Sequence, residues 1–113
     1  MFEKDDKLVL KDIINSFEKI FEMTQNISYD DFKNNSIKVQ RVLSLIEQIG
    51  NDCKHISGEF RLTYENVNWN YLIRTRKRLS HSVLSAVNTD VMWNLIKNDY
   101  PVVYKNISEL ADN

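Results

Sequence analysis

The sequence has 113 residues, a formal net charge of −1, two glycines, one proline and one cysteine. This length is typical of a single domain, and we predict one domain over residues 1–113. The nearly balanced charge excludes a general attraction to nucleic acid or anionic lipid, so any such affinity must come from local charge placement.

Cysteine and histidine usage argues against a disulfide framework and against a structural metal. Cys53 is the single cysteine, and with only two histidines it cannot complete the usual four-ligand zinc set. The first residues contain no apolar signal region, and no apolar stretch approaches the roughly 18 residues of a membrane helix. We therefore predict a cytoplasmic protein that does not span a membrane and carries no metal or other cofactor.

Few glycines and prolines, with apolar residues recurring at three and four, predict an all-α fold. The first helix is expected over about residues 6–24, with Asp5 and Asp6 as N-cap candidates. Its apolar face is formed by Leu10, Ile13, Ile14, Phe17, Ile20 and Phe21. Ser28 and Asp31 form a capping-box pattern, which predicts a short helical turn over Tyr29 to Phe32.

A second long helix is predicted over about residues 36–57. Its apolar positions at bundle spacing are Val39, Val42, Leu43, Ile46, Ile49, Cys53 and Ile56. Gly50 lies inside this helix, where glycine costs about 1 kcal/mol relative to alanine. A glycine here indicates either the close approach of another backbone or a nucleotide, or else a tolerated bend or tight helix crossing, and the second interpretation is favoured.

The remaining helices follow a connector over residues 58–67, which holds one helical turn near Glu59 to Leu62. Asn68 is the expected N-cap of a third helix, from Trp69 to about Leu84. A fourth helix should run from a cap at Asn88 or Thr89 through Asn98, and Asp99 with Pro101 predicts the start of a last helix to about Leu110. The inward positions are expected to be Val91, Met92, Leu95, Ile96, Val103, Ile107 and Leu110, with Trp93 to one side. The pattern predicts an antiparallel up-and-down bundle of four to five helices.

The third helix carries a basic cluster without any acidic residue. Residues 66–89 contain Arg74, Arg76, Lys77, Arg78 and His81, and no Asp or Glu. On a helical projection Arg76 lies in the middle of the stripe formed by Trp69, Leu72, Ile73, Leu79 and Val83. An arginine there is costly to bury unless a carboxylate, a phosphate or a second chain meets it. The sequence therefore predicts a partner for Arg76, an internal salt bridge being the simplest.

Arg76 and His81 together suit metal-free phosphodiester chemistry. His81 could move a proton at a 2′-hydroxyl or a leaving oxygen, while Arg76 holds the charged phosphate. The two lie about 140° apart around an ideal helix, so they do not converge within one straight helix. Either the helix ends before His81, or the two residues meet across a dimer axis.

The other cations allow two interpretations. Arg74, Lys77 and Arg78 form either a strip that contacts RNA phosphates or a solvated helix face. Among the aromatic residues, Trp69, Tyr71 and Trp93 could stack on bases, although Trp69 falls on the core stripe. His55 has no ligand-spaced partner and is expected at the surface.

Three stretches carry a resemblance to a known family: IEQIGNDCKHISGEFR from Ile46, VNWNYLIRTRKRLSHSV from Val67 and VMWNLIKNDYPVV from Val91. In order and spacing they resemble the signature stretches of the HepT-like branch of the HEPN superfamily. The resemblance implies a helical bundle that forms a homodimer, in which Arg76 and His81 of two protomers build a composite, metal-independent ribonuclease centre. It also implies the toxin of a type VII toxin–antitoxin pair, whose partner is an MntA-like minimal nucleotidyltransferase.

Two positions depart from the family pattern. Lys77 stands where the family usually has Asn or Asp after the motif arginine, and Val83 stands at the family's AMP-acceptor tyrosine. Valine has no nucleophilic oxygen, so this chain has no AMP-acceptor tyrosine at that position. An active RNA endonuclease, acting on RNA and not DNA, is the favoured interpretation. An inactive HEPN subunit, serving as partner or substrate- and nucleotide-binding module of a nucleotidyltransferase, stays open, as does a helical scaffold with neither activity.

Overall fold

The computed structural model describes residues 4–79 and 87–112, and the regular structure of these two ranges is entirely helical. In chain order the described elements are α1 (Lys4–Thr24), α2 (Tyr29–Lys33), α3 (Ser36–Lys54), α4 (Gly58–Thr63), α5 (Trp69–Leu79), α6 (Thr89–Asn94), a π-helical turn (Leu95–Asp99) and α7 (Tyr100–Asp112). The predicted all-α bundle is confirmed. The part of α5 that was predicted beyond Leu79 lies outside the described residues.

Long antiparallel helices form the bundle, with α3 packed between α1 and α5, and α7 packed on α1. Contacts at both ends of the α1–α7 pair fix their opposite directions. Lys7 near the start of α1 donates to the Leu110 carbonyl near the end of α7 at 2.6 Å. Lys97, just before α7, donates to the Thr24 carbonyl at the end of α1 at 3.0 Å.

The core lies along the inner faces of these helices. Its buried apolar residues include Leu10, Ile13, Phe17, Ile20, Phe32, Val39, Val42, Ile46, Ile49, Cys53, Phe60, Leu72, Met92, Leu95, Ile96, Tyr100, Ile107 and Leu110. The expected inward position of Val91 is wrong, because its side chain is 43% exposed. Met92, Leu95 and Ile96 define the inward face, and Val91 lies about 100° away from Met92 around the helix.

Asp5 and Asp6 do not cap α1, because both lie inside the helix. Asp6 is instead 2% exposed and serves the start of α4. Its carboxylate accepts hydrogen bonds from the Ser57 backbone N–H at 2.8 Å and from the Ser57 hydroxyl at 2.7 Å. Ser57 is the N-cap of α4 and accepts from the Phe60 N–H, so a residue predicted as a local cap is a tertiary contact that fixes another helix.

The predicted break before Pro101 is also wrong, since the chain stays helical from Thr89 to Asp112. Proline lacks an N–H, and its ring clashes with the carbonyl four residues earlier in a regular α-helix. Here the preceding turn is π-helical, and the Tyr100 N–H donates to the Leu95 carbonyl five residues back. This wider turn accommodates the proline, so the two predicted helices form one continuous rod.

Gly50 marks a tight crossing of α3 and α5. A Cβ at this position would lie 3.1 Å from the Leu72 carbonyl oxygen and 3.3 Å from that of Ile73. Contacts this short with backbone oppose any side chain, so the tight helix crossing that the sequence suggested is confirmed. The crossing holds α3 close to the basic end of α5. None of the described helices combines the length and apolar composition needed to cross a membrane.

Candidate functional site

The buried side of α5 determines where its cations point. It is formed by Trp69, Leu72, Thr75 and Leu79. Thr75 can be buried because its hydroxyl donates to the Tyr71 carbonyl at 2.6 Å. On a helical projection Arg76 lies between Trp69 and Leu72, and the half-buried Ile73 lies on the far side of Trp69. Arg76 therefore lies within the apolar stripe, as expected, although its side chain is only partly buried.

Arg76 is paired with an acidic side chain on α3, as its position in the sequence required. Its Nε donates to Oε1 of Glu47 at 2.6 Å, a charge-assisted hydrogen bond between residues 29 positions apart. The side chains are 31% and 47% exposed, so the pair lies at the surface. The predicted partner of Arg76 is confirmed, and it is an internal carboxylate.

A groove of about 260 Å³ lies beside this pair, between α3 and α5. It is lined by Ile46, Glu47, Gly50, Asn51, Lys54, Ile73, Arg76 and Lys77. Ile73 is half-buried and supplies apolar surface, whereas Ile46 beneath it is only 1% exposed. Three cations of the lining face a single carboxylate. Cations in this excess favour an anionic ligand.

The basic cluster of α5 is divided between two sides of the helix. Arg76 and Lys77 line the groove, and Arg74 is exposed and lies outside it. The guanidinium of Arg78 stacks over the Tyr71 ring, 4.3 Å from its centroid. The Tyr71 hydroxyl donates to Oδ2 of Asp99 at 2.7 Å. Burial, together with this hydrogen bond, raises the pKa of Tyr71 to about 12.

Two of the candidate base-stacking residues are covered by protein. Trp69 is 5% exposed, and its Nε1 donates to the Tyr64 carbonyl at 3.1 Å. The half-buried Trp93 packs against Phe32 with 5.2 Å between ring centroids, and the Lys97 ammonium lies 4.5 Å from its ring. Stacking of a base on Trp69 would therefore require the core to open. His55 is exposed, as expected.

His81 and Val83 fall in residues 80–86, which lie outside the described residues. α5 is described to Leu79, so Arg76 lies in the last turn before this segment. The pairing of Arg76 with His81 stays a prediction. The absence of an AMP acceptor at Val83 also stays a prediction.

Three groove residues on α3 were missed by the sequence reasoning. Glu47, Asn51 and Lys54 follow one another at i, i+4 and i+7, which places them on one face beside Gly50. That spacing was visible in the sequence, but its meaning depends on the register of α3 against α5. Only the fold shows that this polar stripe faces Arg76.

No group of three or more His, Cys, Asp or Glu residues that could hold a metal is found within residues 4–79 and 87–112. Cys53 is buried, and burial raises the pKa of its thiol to about 12. It is therefore a packing residue without thiolate reactivity near neutral pH.

Comparisons with known proteins agree on one family. Residues 13–110 match the family model described as Ribonuclease HepT-like. The chain is 30% identical over 107 residues to "Putative RNase MJ1380" of Methanocaldococcus jannaschii, covering 95% of this chain and 97% of that protein. It is 29% identical over 99 residues to "Probable ribonuclease HepT" of Thermococcus cleftensis, covering 88% and 89% of the two chains. No solved structure matches the chain.

Proposed function

This chain belongs to the Ribonuclease HepT-like family, and on that premise we propose that it is a metal-independent RNA endonuclease. The observation that carries the proposal is the placement of Arg76. A basic side chain is fixed by Glu47 at the rim of a cationic groove, in the last described turn before the segment that contains His81. An arginine with a fixed orientation is suited to binding a phosphate, because its donors match the phosphate oxygens.

In the proposed reaction the 2′-oxygen of RNA bonds to the adjacent phosphorus while the bond from phosphorus to the 5′-oxygen breaks. The proton of the 2′-hydroxyl must leave and a proton must reach the departing 5′-oxygen. His81 performs one of these transfers as acid or base, and Arg76 stabilises the charge on the phosphoryl oxygens. Arg74, Lys77 and Arg78 are assigned to neighbouring phosphates, Arg78 after leaving the Tyr71 ring.

The centre is proposed to be shared by two protomers of a homodimer. Arg76 and His81 are separated by roughly 140° around a straight helix, which favours a site in which Arg76 of one protomer meets His81 of the other. The groove beside Arg76 opens at the surface of the single chain, where a second protomer could complete it.

The biological role we propose is that of a toxin neutralised by an MntA-like nucleotidyltransferase. Because Val83 cannot accept AMP, neutralisation must rely on masking of the basic face or on modification of another residue. Mass spectrometry of this chain after co-expression with its partner separates these routes. An AMP adduct would exclude masking as the sole mechanism.

The alternative function is a nucleotidyltransferase-binding subunit without nuclease activity. Lys77 and Val83 favour it, because both depart from the family pattern. The two functions differ in a mixing experiment. Arg76→Ala and His81→Ala proteins are each assayed on labelled RNA, and then assayed after being unfolded together and refolded.

A composite centre predicts that each variant alone is inactive. The mixture should regain about a quarter of wild-type cleavage, since half of the random dimers are mixed and each has one intact site. A mixture that stays inactive, while wild type cleaves, would place the site within one chain. Wild type that cleaves no RNA but binds the nucleotidyltransferase would favour the alternative.

A further inference from the structure

The groove between α3 and α5 carries more cationic surface than the basic cluster of α5 alone provides. Lys54 comes from the end of α3 and faces the same cavity as Arg76 and Lys77. Of these three cations, Arg76 is engaged by Glu47, the single carboxylate in the lining. Within residues 4–79 and 87–112, neither Lys54 nor Lys77 forms an ion pair. Their charges are therefore available to a ligand.

We propose that this groove is a subsite for one nucleotide of single-stranded RNA, next to the phosphate held by Arg76. Lys54 and Lys77 bind the phosphate of that nucleotide, and the Asn51 amide bonds to the edge of its base. The inference rests on the proposed ribonuclease function and adds two residues of α3, Asn51 and Lys54, to the site.

The size and lining of the groove fit such a ligand. A volume of about 260 Å³ is small for a ligand pocket and suits a single nucleotide, whereas a duplex could not enter it. The half-buried Ile73 provides apolar surface for a base or sugar. The Asn51 amide offers both a donor and an acceptor, which is what recognition of an unpaired base requires.

The subsite is held in shape by the helix crossing at Gly50. The backbones of α3 and α5 touch there, so Lys54 and Lys77 project from two helices whose separation is fixed. A larger groove of about 610 Å³ between α4 and α5 is less suited to RNA. Its lining contains Arg61 and Glu65, whose charges cancel.

The test measures binding of a fluorescein-labelled, fully 2′-O-methylated oligouridine of twelve nucleotides by anisotropy, over a series of KCl concentrations. Methylation removes the 2′-hydroxyl that attacks the phosphate, so binding is measured whether or not the protein cleaves RNA. The proteins are wild type, Lys54→Ala, Asn51→Ala and a matched control, Lys105→Ala, which removes an exposed lysine on α7. Circular dichroism verifies that all four are folded.

We expect Lys54→Ala to weaken binding about fivefold near 0.1 M KCl and to make the log–log salt slope less negative by about 0.7, the value for one phosphate contact on a single strand. Asn51→Ala should weaken binding without changing the slope, because an amide releases no counterion. Lys105→Ala should bind as wild type does.

Equal affinities and slopes for Lys54→Ala, Lys105→Ala and wild type would overturn the subsite, as would failure of wild type to bind the probe. Cleavage of unmodified RNA is measured in parallel. If wild type cleaves RNA but Lys54→Ala binds the probe as tightly as wild type, the subsite alone is rejected. If Lys54→Ala weakens binding but wild type cleaves no RNA, the nuclease function is rejected and the groove is an RNA-binding site.

Discussion

The contact between Glu47 and Arg76 leads to a prediction in which affinity and turnover respond differently. Glu47→Ala removes a negative charge from the groove, so RNA affinity should stay the same or rise. It also frees the guanidinium, so kcat should fall about 10- to 100-fold, as misplacement by about 1 Å does in other enzymes. Glu47→Gln keeps an acceptor for Nε and should retain kcat within about threefold.

Cleavage kinetics on a labelled RNA, with separate kcat and KM, measure this effect. Glu22→Ala is the control, because it removes the same charge from an exposed position on α1 outside the groove. A Glu47→Ala protein with unchanged kcat would mean that the salt bridge plays no part in catalysis.

The buried Tyr100 and the half-buried Tyr71 predict a loss of stability at alkaline pH. Burial raises the pKa of Tyr71 to about 12 and also raises that of Tyr100 above its usual range. The folded state thus favours the neutral phenols. Their contribution is fully present below about pH 10 and is lost as pH rises from there, because the unfolded chain ionises first.

Urea unfolding at pH 9 and 10.5, with tyrosinate absorbance at 295 nm, measures this loss. Tyr71→Phe should reduce the decrease in unfolding free energy between the two pH values. If all five tyrosines of the native protein ionised together near pH 10, the assignment would be wrong.

At the scale of single residues, the sequence predicted that Arg76 needed a partner but not which one. The cost of burying a charge at Arg76 could be judged from its apolar neighbours on the same helix. Choosing Glu47 required the register of α3 against α5, which depends on packing between residues 29 positions apart. The burial of Thr75 depends on a local hydrogen bond that a hydrophobic pattern does not reveal.

At the scale of helices, alanine is expected to act differently at Gly50, which lies in the crossing of α3 and α5, and at Gly58, where a Cβ meets open space. Gly50→Ala should lower the unfolding free energy by about 1–2 kcal/mol, since its Cβ would press on the carbonyls of Leu72 and Ile73, and strain of this kind outweighs the gain in helix propensity. Gly58→Ala meets no atom within 4 Å and should leave stability unchanged or raise it by up to about 1 kcal/mol.

Urea denaturation of both variants and wild type gives the two differences. Equal stabilities for Gly50→Ala and wild type would show that the helices can move apart without cost. In that case Gly50 would not hold the groove in shape.

Helix periodicity located the long helices well, because each must present an apolar face to the core. It failed at the junction before Pro101, where a π-helical turn accommodates the proline and continues the rod. It also failed at Asp6, whose role depends on Ser57 at the start of α4, 51 residues away. Both failures concern irregular or tertiary features that a pattern of apolar positions does not record.

At the scale of the whole molecule, helix packing brings α3 and α5 together so that one groove collects cations from both. The sequence alone predicted a basic cluster on α5 that either contacts RNA phosphates or forms a solvated helix face. The bundle directs Arg76 and Lys77 of that cluster to the groove and stacks Arg78 on Tyr71. The fold thus places neighbouring residues of the basic cluster on different sides of α5.

The most direct test of the proposed ribonuclease is cleavage of a labelled RNA in EDTA by wild type and by His81→Ala, with circular dichroism of both. We predict that wild type cleaves in EDTA and that the folded His81→Ala protein does not. Absence of cleavage by wild type on several RNAs, or equal cleavage by the variant, would contradict the assignment of His81 and Arg76 to a metal-independent ribonuclease centre.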